Sequence, residues 1–212
     1  MKYKHIIWDW NGTLLDDRWL CVEAINKCLY KRGLAMISEE TYKEVFSFPV
    51  KDYYQKLGFN FKKEPFEIAG DEFVSYYGKN FSRTKLHKQC RFVLKSFLTN
   101  EATQSILSAG KHNFLLDWVK AHNLHKYFIK ILGIDNQYAT GKIELGSSLM
   151  NSLSYEKNEV VMIGDTIHDS EVAQNMDIDC LLLDHGHVSS QRLQGTGRKV
   201  FQNLETVLKY IN

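Results

Sequence analysis

The stretch His5-Ile6-Ile7-Trp8-Asp9-Trp10-Asn11-Gly12-Thr13 decides the interpretation of the fold. Its first four residues predict a short buried strand, and the polar, glycine-containing segment after them predicts a tight loop. A carboxylate at the tip of a buried strand is rigidly held, so Asp9 could attack phosphorus or bind a metal, and backbone N–H groups of the turn could cradle an anion. A strand-capping aspartate in an Asx-type turn explains the same residues equally well.

Two later segments repeat this pattern of a strand that ends in polar residues. Residues 105–107 predict a strand that leads into Ser108-Ala109-Gly110, and residues 159–163 predict a strand that leads into Gly164-Asp165. Strands that alternate with helices form a parallel sheet covered on both faces. Ligands bind beyond the carboxyl ends of such strands. We therefore expect an α/β fold in which Asp9, Ser108 and Asp165 converge at one edge of the sheet.

Residues 16 to about 86 differ from the rest, because they contain several helical patterns and no convincing strand. Ser38 is the expected N-cap of a helix that runs through Val45 and should break near Phe48-Pro49. The pattern predicts a helical insert between the first strand and the remainder of the sheet.

Four candidate groups carry chemistry, and each also has a structural explanation. Asp165 and Asp169 lie four residues apart at a helix start, where they suit Mg²⁺ but also suit the helix dipole. Ser108 could donate to a phosphoryl oxygen or could cap the helix that begins near Lys111. Lys142, expected in a loop after Thr140-Gly141, could neutralise phosphate or could simply be solvated.

Composition excludes several classes of partner. The hydrophobic fraction is 44%, the charged fraction is 25% and the formal net charge is +2, with no dense basic block. We therefore expect neither nucleic acid nor a membrane as a partner. The start of the chain lacks the features of a signal peptide. The four cysteines form no Cys-x-x-Cys pair, which is typical of reduced thiols in a cytoplasmic protein.

The order of these motifs resembles that of the haloacid dehalogenase superfamily. The motifs are Asp9-x-Asn11-Gly12-Thr13, Ser108, Lys142 and Gly164-Asp165-x-x-x-Asp169. The resemblance implies a Rossmann-like core at 1–15 and 87–212 and a small α-helical cap at 16–86. Asp16-Asp17 and Phe46-Ser47-Phe48-Pro49-Val50 are similar to the phosphoglycolate-phosphatase-like branch.

The resemblance also implies roles for individual residues. Asp9 would be the phosphorylated nucleophile and a Mg²⁺ ligand, together with the main-chain carbonyl of Asn11, Asp165 and, directly or through water, Asp169. Ser108 and Lys142 would hold the phosphoryl oxygens. Further substrate contacts are expected from Gly12, Thr13, Ala109, Gly110 and the cap residue Lys51. The implied partner is a small phosphorylated metabolite, and the oligomeric state cannot be read from the sequence.

Asn11 departs from the phosphatase pattern of this superfamily. An aspartate at this place donates a proton to the leaving oxygen, which an amide cannot do. Two alternatives therefore stay open: a carbon–phosphorus hydrolase, for which Lys51 could form a Schiff base, and a protein that binds a phosphorylated ligand with slow turnover. Asp165 and Asp169 argue against a dehalogenase. His185-Gly186-His187 is interpreted as a solvated loop, and Tyr53, Tyr54, Tyr76 and Tyr77 as cap packing.

Overall fold

A computed structural model of the chain describes residues 2–134 and 141–212. Its strands are β1 (His5–Trp8), β2 (Leu15–Asp16), β3 (Lys85–Leu86), β4 (Thr103–Lys111), β5 (Lys130–Ile134), β6 (Val160–Gly164), β7 (Asp179–Leu183) and β8 (Lys199–Phe201). Six of them form one parallel sheet in the order β5-β4-β1-β6-β7-β8. The predicted parallel α/β architecture is therefore confirmed.

Helices connect the strands and cover the sheet. In chain order they are α1 (Arg18–Lys31), α2 (Glu39–Val45), α3 (Val50–Lys56), α4 (Phe66–Asn80), α5 (Cys90–Thr99), α6 (His112–Ala121), α7 (Lys142–Asn151), α8 (Ile167–Met176), α9 (Ser190–Gln194) and α10 (Leu204–Ile211).

The first four helices form the predicted insert. α1 packs against α4, and the Ser38 hydroxyl accepts a hydrogen bond from the N–H of Thr41, which caps α2 as expected. One feature was not predicted: β2 and β3 pair antiparallel at the two ends of the insert. Two-residue strands carry too little periodicity to be recognised in a sequence. This ribbon ties the entry and the exit of the insert together, directly after the Asp9 loop.

Side chains alternate between the two faces of the sheet and build one apolar layer on each. On β1, Ile6 and Trp8 contribute to the layer that also packs the insert, whereas Ile7 contributes to the opposite layer. This alternation is the two-residue period of a strand covered on both sides. The four cysteines are buried and free. Both layers fix the direction of β1, and with it the position of Asp9.

Four more elements differ from the sequence prediction. β4 runs through Ser108, so this serine lies inside a strand and caps no helix, and Lys111 is the N-cap of α6. Lys142 is the first residue of α7 and lies in no loop. α9 and β8 are short elements that were not predicted. Among the described residues, no helix is both long and apolar enough to cross a membrane.

Candidate active site

Three carboxylates meet at the carboxyl ends of β1 and β6. Asp9 directly follows β1, Asp165 directly follows β6, and Asp169 lies in the first turn of α8. Each offers one oxygen such that these atoms all lie within 4.8 Å of one another. The exposed fractions are 6%, 0% and 0%. The parallel sheet thus brings together acids that lie up to 160 residues apart in the chain.

Lys142 joins two of these carboxylates. Its Nζ lies 2.5 Å from Oδ1 of Asp9 and 2.5 Å from Oδ1 of Asp169. The side chain is 2% exposed, which excludes a solvated lysine. Lys142 can be buried because two carboxylates surround its charge, as buried ammonium groups require. Its ammonium therefore lies directly beside the candidate nucleophile.

Asp165 and Asp169 are each held by further hydrogen bonds. Oδ2 of Asp169 accepts from the N–H and the hydroxyl of Thr166, at 2.9 and 2.7 Å. Oδ1 of Asp165 accepts from the hydroxyl of Thr13 at 2.7 Å, and its Oδ2 accepts from the N–H of His187 at 2.7 Å. These bonds fix both carboxylates before any ligand arrives.

The charges of this cluster fit a divalent cation. Burial raises the pKa of Asp9 well above its usual range and that of Asp165 to about 6. Although burial opposes it, the Lys142 ammonium holds the pKa of Asp169 below its usual value. Three buried carboxylates thus lie close to the Lys142 ammonium, with His187 as a further positive group near Asp165. Hard oxygen ligands of this kind suit Mg²⁺. The donor set therefore fits the implied metal, with the carbonyl of Asn11 still a predicted ligand.

Several predicted phosphate contacts already have partners within the protein. The N–H of Gly12 donates to Asp17 Oδ1 at 2.8 Å, and the Thr13 hydroxyl donates to Asp165. The Ser108 hydroxyl accepts from the N–H of Gly110 at 3.0 Å, and Ser108 is 1% exposed. In the structure, Gly12 and Thr13 position the carboxylates of two aspartates. Direct contacts with a phosphate stay predictions for Gly12, Thr13, Ser108 and Ala109.

The structure does not bring Lys51 to this cluster. Lys51 is exposed on α3, and its Nζ lies 5.8 Å from the ring centroid of Phe61. It does not line the cavity described below, although its neighbours Phe48 and Val50 do. Successive residues of an α-helix point in different directions, so Lys51 faces away from the cavity although Val50, the residue before it on α3, lines it.

A second polar cluster, which was not predicted, surrounds Asn11. Its centre is Asp17, 0% exposed, which accepts from Asn11 Nδ2 at 2.7 Å and from the Tyr77 hydroxyl at 2.7 Å. His187 Nε2 lies 3.3 Å from Asp17 Oδ1. Burial lowers the pKa of His187, but the Asp17 carboxylate outweighs burial and raises it to about 9. The cluster locks the Asn11 side chain between the insert and the loop after β7.

The segment His185-Gly186-His187 is therefore no solvated loop. His187 is 3% exposed, and a Cβ at Gly186 would lie 2.0 Å from Asp165 Oδ2, so only glycine fits there. The His185 ring stacks on His87 with centroids 3.7 Å apart. Its Nε2 lies 3.2 Å from the carbonyl of Thr13. The sequence does contain a signal for this buried segment: a glycine lies between two histidines shortly after a predicted buried strand.

We predict that acid weakens the fold through His87 and His185. Burial lowers the pKa of each to about 4, below the ordinary value of about 6.5. Because protonation then favours the unfolded chain, their contribution is complete above about pH 6.5 and is lost as the pH falls toward 4. The Tm of His87→Gln should fall less than that of the wild type between pH 7 and pH 5.

Thermal unfolding at several pH values tests this expectation. His125→Gln is the matched control, because His125 is exposed and should leave the pH dependence unchanged. An identical loss of Tm in wild type and His87→Gln would refute the assignment.

A cavity of about 290 Å³ adjoins the carboxylate cluster. Asp9, Asn11 and Lys142 contribute to its lining. Half of the other lining residues are phenylalanine, tyrosine or tryptophan; they include Phe46, Phe48, Tyr53 and Tyr77 from the insert and Phe114 and Trp118 from α6. Arg192 on α9 donates to the carbonyl of Phe46 at 2.8 Å, which fixes this part of the insert to the core. The volume is near the lower end of the range for small-molecule sites, about 300–1,000 Å³.

Comparison with known proteins agrees with this geometry. A 5'-nucleotidase from Pseudomonas aeruginosa is 22% identical over 201 residues, which cover 92% of this chain and 88% of that protein. The structure of a predicted phosphatase from Clostridium acetobutylicum is similar with a TM-score of 0.85 at 18% identity, covering 100% of this chain and 99% of the other. A predicted phosphoglycolate phosphatase from Haemophilus somnus gives 0.80 at 16%, covering 100% and 99%. At these identities the two structures show a shared fold. The family model of haloacid dehalogenase-like hydrolases matches residues 6–183, and the chain belongs to this family.

Proposed function

We propose that this protein hydrolyses phosphate monoesters of small metabolites in a Mg²⁺-dependent reaction, with Asp9 as the nucleophile. One observation carries the proposal: the Asp9 carboxylate lines the cavity, 2.5 Å from the Lys142 ammonium and beside the carboxylates of Asp165 and Asp169. A screen of phosphorylated metabolites for phosphate release, with Mg²⁺ and with a chelator, tests it.

In the first step, an oxygen of Asp9 forms a bond to phosphorus while the bond from phosphorus to the ester oxygen breaks. Lys142, held by Asp169, offsets the negative charge that collects on the transferred group, which is the main requirement of phosphoryl transfer. Asn11 lines the cavity but has no acidic proton, so the departing oxygen takes its proton from water.

In the second step, water attacks phosphorus, the bond to Asp9 breaks, and the carboxylate is restored. The proton of the attacking water goes to solvent, and the sum of both steps consumes one water and yields the alcohol and inorganic phosphate. A Mg²⁺ ion held by Asp9, Asp165 and the Asn11 carbonyl would supply the additional positive charge that this chemistry needs. Thr13 and the N–H of His187 hold Asp165 in place for it.

We predict that Asp165→Ala raises the Mg²⁺ concentration for half-maximal activity at least about tenfold, because a charged ligand is worth more than one kcal/mol. Asp169→Ala should act mainly on kcat, because Asp169 pairs with Lys142 and so positions it. Mg²⁺ titrations of activity and of Tm separate these two effects.

Glu171→Gln is the control for both variants, because this carboxylate also lies on α8 but is 58% exposed. An unchanged Mg²⁺ requirement in Asp165→Ala would contradict the metal site.

The alternatives have less support. A carbon–phosphorus hydrolase would need a lysine for the Schiff base, and the proposed Lys51 lies outside the cavity, whereas Lys142 is committed to two carboxylates. A binding protein with slow turnover rests on Asn11 alone. The named relatives suggest two different substrates, because one is a 5'-nucleotidase and another a predicted phosphoglycolate phosphatase.

A further inference from the structure

We propose that the alcohol part of the substrate carries an uncharged heteroaromatic ring, as in a nucleoside 5'-monophosphate, and that the Tyr53 hydroxyl hydrogen-bonds to this ring. The proposal rests on the phosphatase function above, because Asp9 fixes where the phosphate lies and the cavity must then receive the rest of the molecule.

The charges around the cavity argue against a second anionic group on the substrate. Two lysines line it among the described residues, and Lys142 is committed to Asp9 and Asp169. The other, Lys111, is exposed, with its Nζ 5.8 Å from the ring centroid of Phe114. His187 pairs with Asp17. The carboxylate of phosphoglycolate would therefore lie in the cavity without a buried counter-charge, which is costly.

The aromatic lining favours a flat ring. Phe46 lies 5.4 Å from Phe48, and Phe114 lies 5.8 Å from Trp118, measured between ring centroids. The first pair belongs to the insert and the second to α6. Aromatic faces bind planar rings by stacking at similar centroid distances, and stacking on protein aromatics is a common way to hold a nucleobase. An aliphatic alcohol would use little of this surface.

Tyr53 adds a polar group that the protein itself leaves without a partner. It lines the cavity, is 2% exposed, and its hydroxyl has no hydrogen-bond partner among the described residues. A buried hydroxyl without a protein partner destabilises the folded protein unless water or a ligand supplies a partner. A ring nitrogen or carbonyl of a heteroaromatic substrate would supply the missing partner, which a plain hydrocarbon ring cannot do.

The experiment compares kcat/KM for adenosine 5'-monophosphate, benzyl phosphate and phosphoglycolate in wild type and Tyr53→Phe, with Mg²⁺ present. All three are alkyl phosphates, so the leaving oxygen is similar and the comparison isolates recognition of the alcohol part. We expect adenosine 5'-monophosphate to exceed phosphoglycolate at least about tenfold. Tyr53→Phe should lower kcat/KM about tenfold for the nucleotide and leave benzyl phosphate within about twofold.

Stability gives a second readout that a packing role would not produce. Because Tyr53→Phe removes a buried hydroxyl without a partner, we expect the Tm of the ligand-free protein to rise. Tyr30→Phe is the control, because Tyr30 is 75% exposed on α1 and lies outside the cavity. A lower Tm in Tyr53→Phe, or an equal loss of activity on all three esters, would assign Tyr53 to packing and overturn its role.

The two proposals fail in different ways. Efficient hydrolysis of phosphoglycolate with little activity on the nucleotide would keep the phosphatase function and overturn the heteroaromatic substrate. If no ester is hydrolysed, calorimetric titration of the wild type with each uncleaved ester tests recognition alone. Tighter binding of adenosine 5'-monophosphate than of phosphoglycolate would then support the cavity proposal while the phosphatase function fails, and the reverse order would overturn it.

Discussion

Replacing Asp9 by asparagine is expected to lower phosphate release at least about 10⁴-fold, because the amide cannot form the covalent bond to phosphorus and removal of the nucleophile costs about 10⁶-fold in a serine hydrolase. Asn is the appropriate substitution because it keeps the shape of the side chain beside Lys142. Phosphate release from the best ester of the screen, measured with saturating Mg²⁺, gives the comparison.

Asp9→Asn should lose activity but should not lose thermal stability. Burial raises the pKa of the Asp9 carboxyl well above its usual range, which means that burial destabilises the ionised carboxylate. Lys142 keeps its second carboxylate, Asp169, when Asp9 is neutralised. We therefore expect the Tm of Asp9→Asn without Mg²⁺ to equal or exceed that of the wild type, while the rise in Tm on adding Mg²⁺ becomes smaller.

Asp52→Asn is the matched control, because Asp52 is an exposed carboxylate on α3. It should retain full activity and the full response to Mg²⁺. Comparable turnover by Asp9→Asn and the wild type would exclude the nucleophile assignment, whereas a collapse of Tm would show that Asp9 is needed for the fold.

Much of the carboxylate cluster could be predicted from the sequence, because residues that follow parallel strands meet at the same edge of the sheet. Asp9 and Asp165 each follow a recognisable apolar strand, and parallel strands present their carboxyl ends at one edge. Asp169 lies in the first turn of the helix that begins two residues after Asp165, so the short connection keeps it near the end of β6. Local patterns thus decide where these three residues lie, whatever the rest of the chain does.

The partners of these residues could not be predicted in the same way. Lys142 pairs with Asp9 across 133 positions, and nothing next to it in sequence shows that its charge would be buried. Asp17 and His187 meet because the loop after β7 returns to the base of the insert. In the sequence, the aromatic residues of α3 and α6 look like ordinary core packing. A cavity between two elements depends on how those elements are placed relative to each other, and this placement produces no recognisable sequence pattern.

Asn11 shows why such contacts matter for function. From the sequence alone, Asn11 is notable only because it replaces an aspartate that would act as a general acid. In the structure its Nδ2 donates to Asp17 at 2.7 Å and to the Tyr77 hydroxyl at 3.0 Å. Burial alone would raise the pKa of Asp17. The charge of His187 and the hydrogen bonds that Tyr77 and Asn11 donate keep this pKa below its usual value. The amide is therefore matched to an ionised carboxylate, and an aspartate here would meet a like charge.

We predict that Asn11→Asp raises kcat/KM on alkyl phosphates by about 10²–10⁴-fold, the usual contribution of a general acid. Because the new carboxyl would lie beside the ionised Asp17, its pKa should be raised, and a raised pKa keeps it protonated and able to supply a proton to the leaving oxygen. Aryl phosphates, whose leaving oxygen needs no proton, should gain much less. The change keeps the backbone carbonyl that is the predicted metal ligand.

The same raised pKa fixes the pH dependence of the variant. Its pKa in the folded protein lies above the ordinary value of about 3.9, so the variant should match the wild type in Tm below about pH 4 and lose stability as the pH rises toward the new pKa. The gain in activity should persist over this interval and fade only as the pH rises through the new pKa, where the acid loses its proton in the folded protein. Asn11-Gly12 can deamidate, so mass spectrometry must confirm the residue in fresh wild-type protein. Unchanged turnover in Asn11→Asp would mean that another group supplies the proton or that the natural reaction needs none, and the carbon–phosphorus and binding-protein alternatives would then gain support.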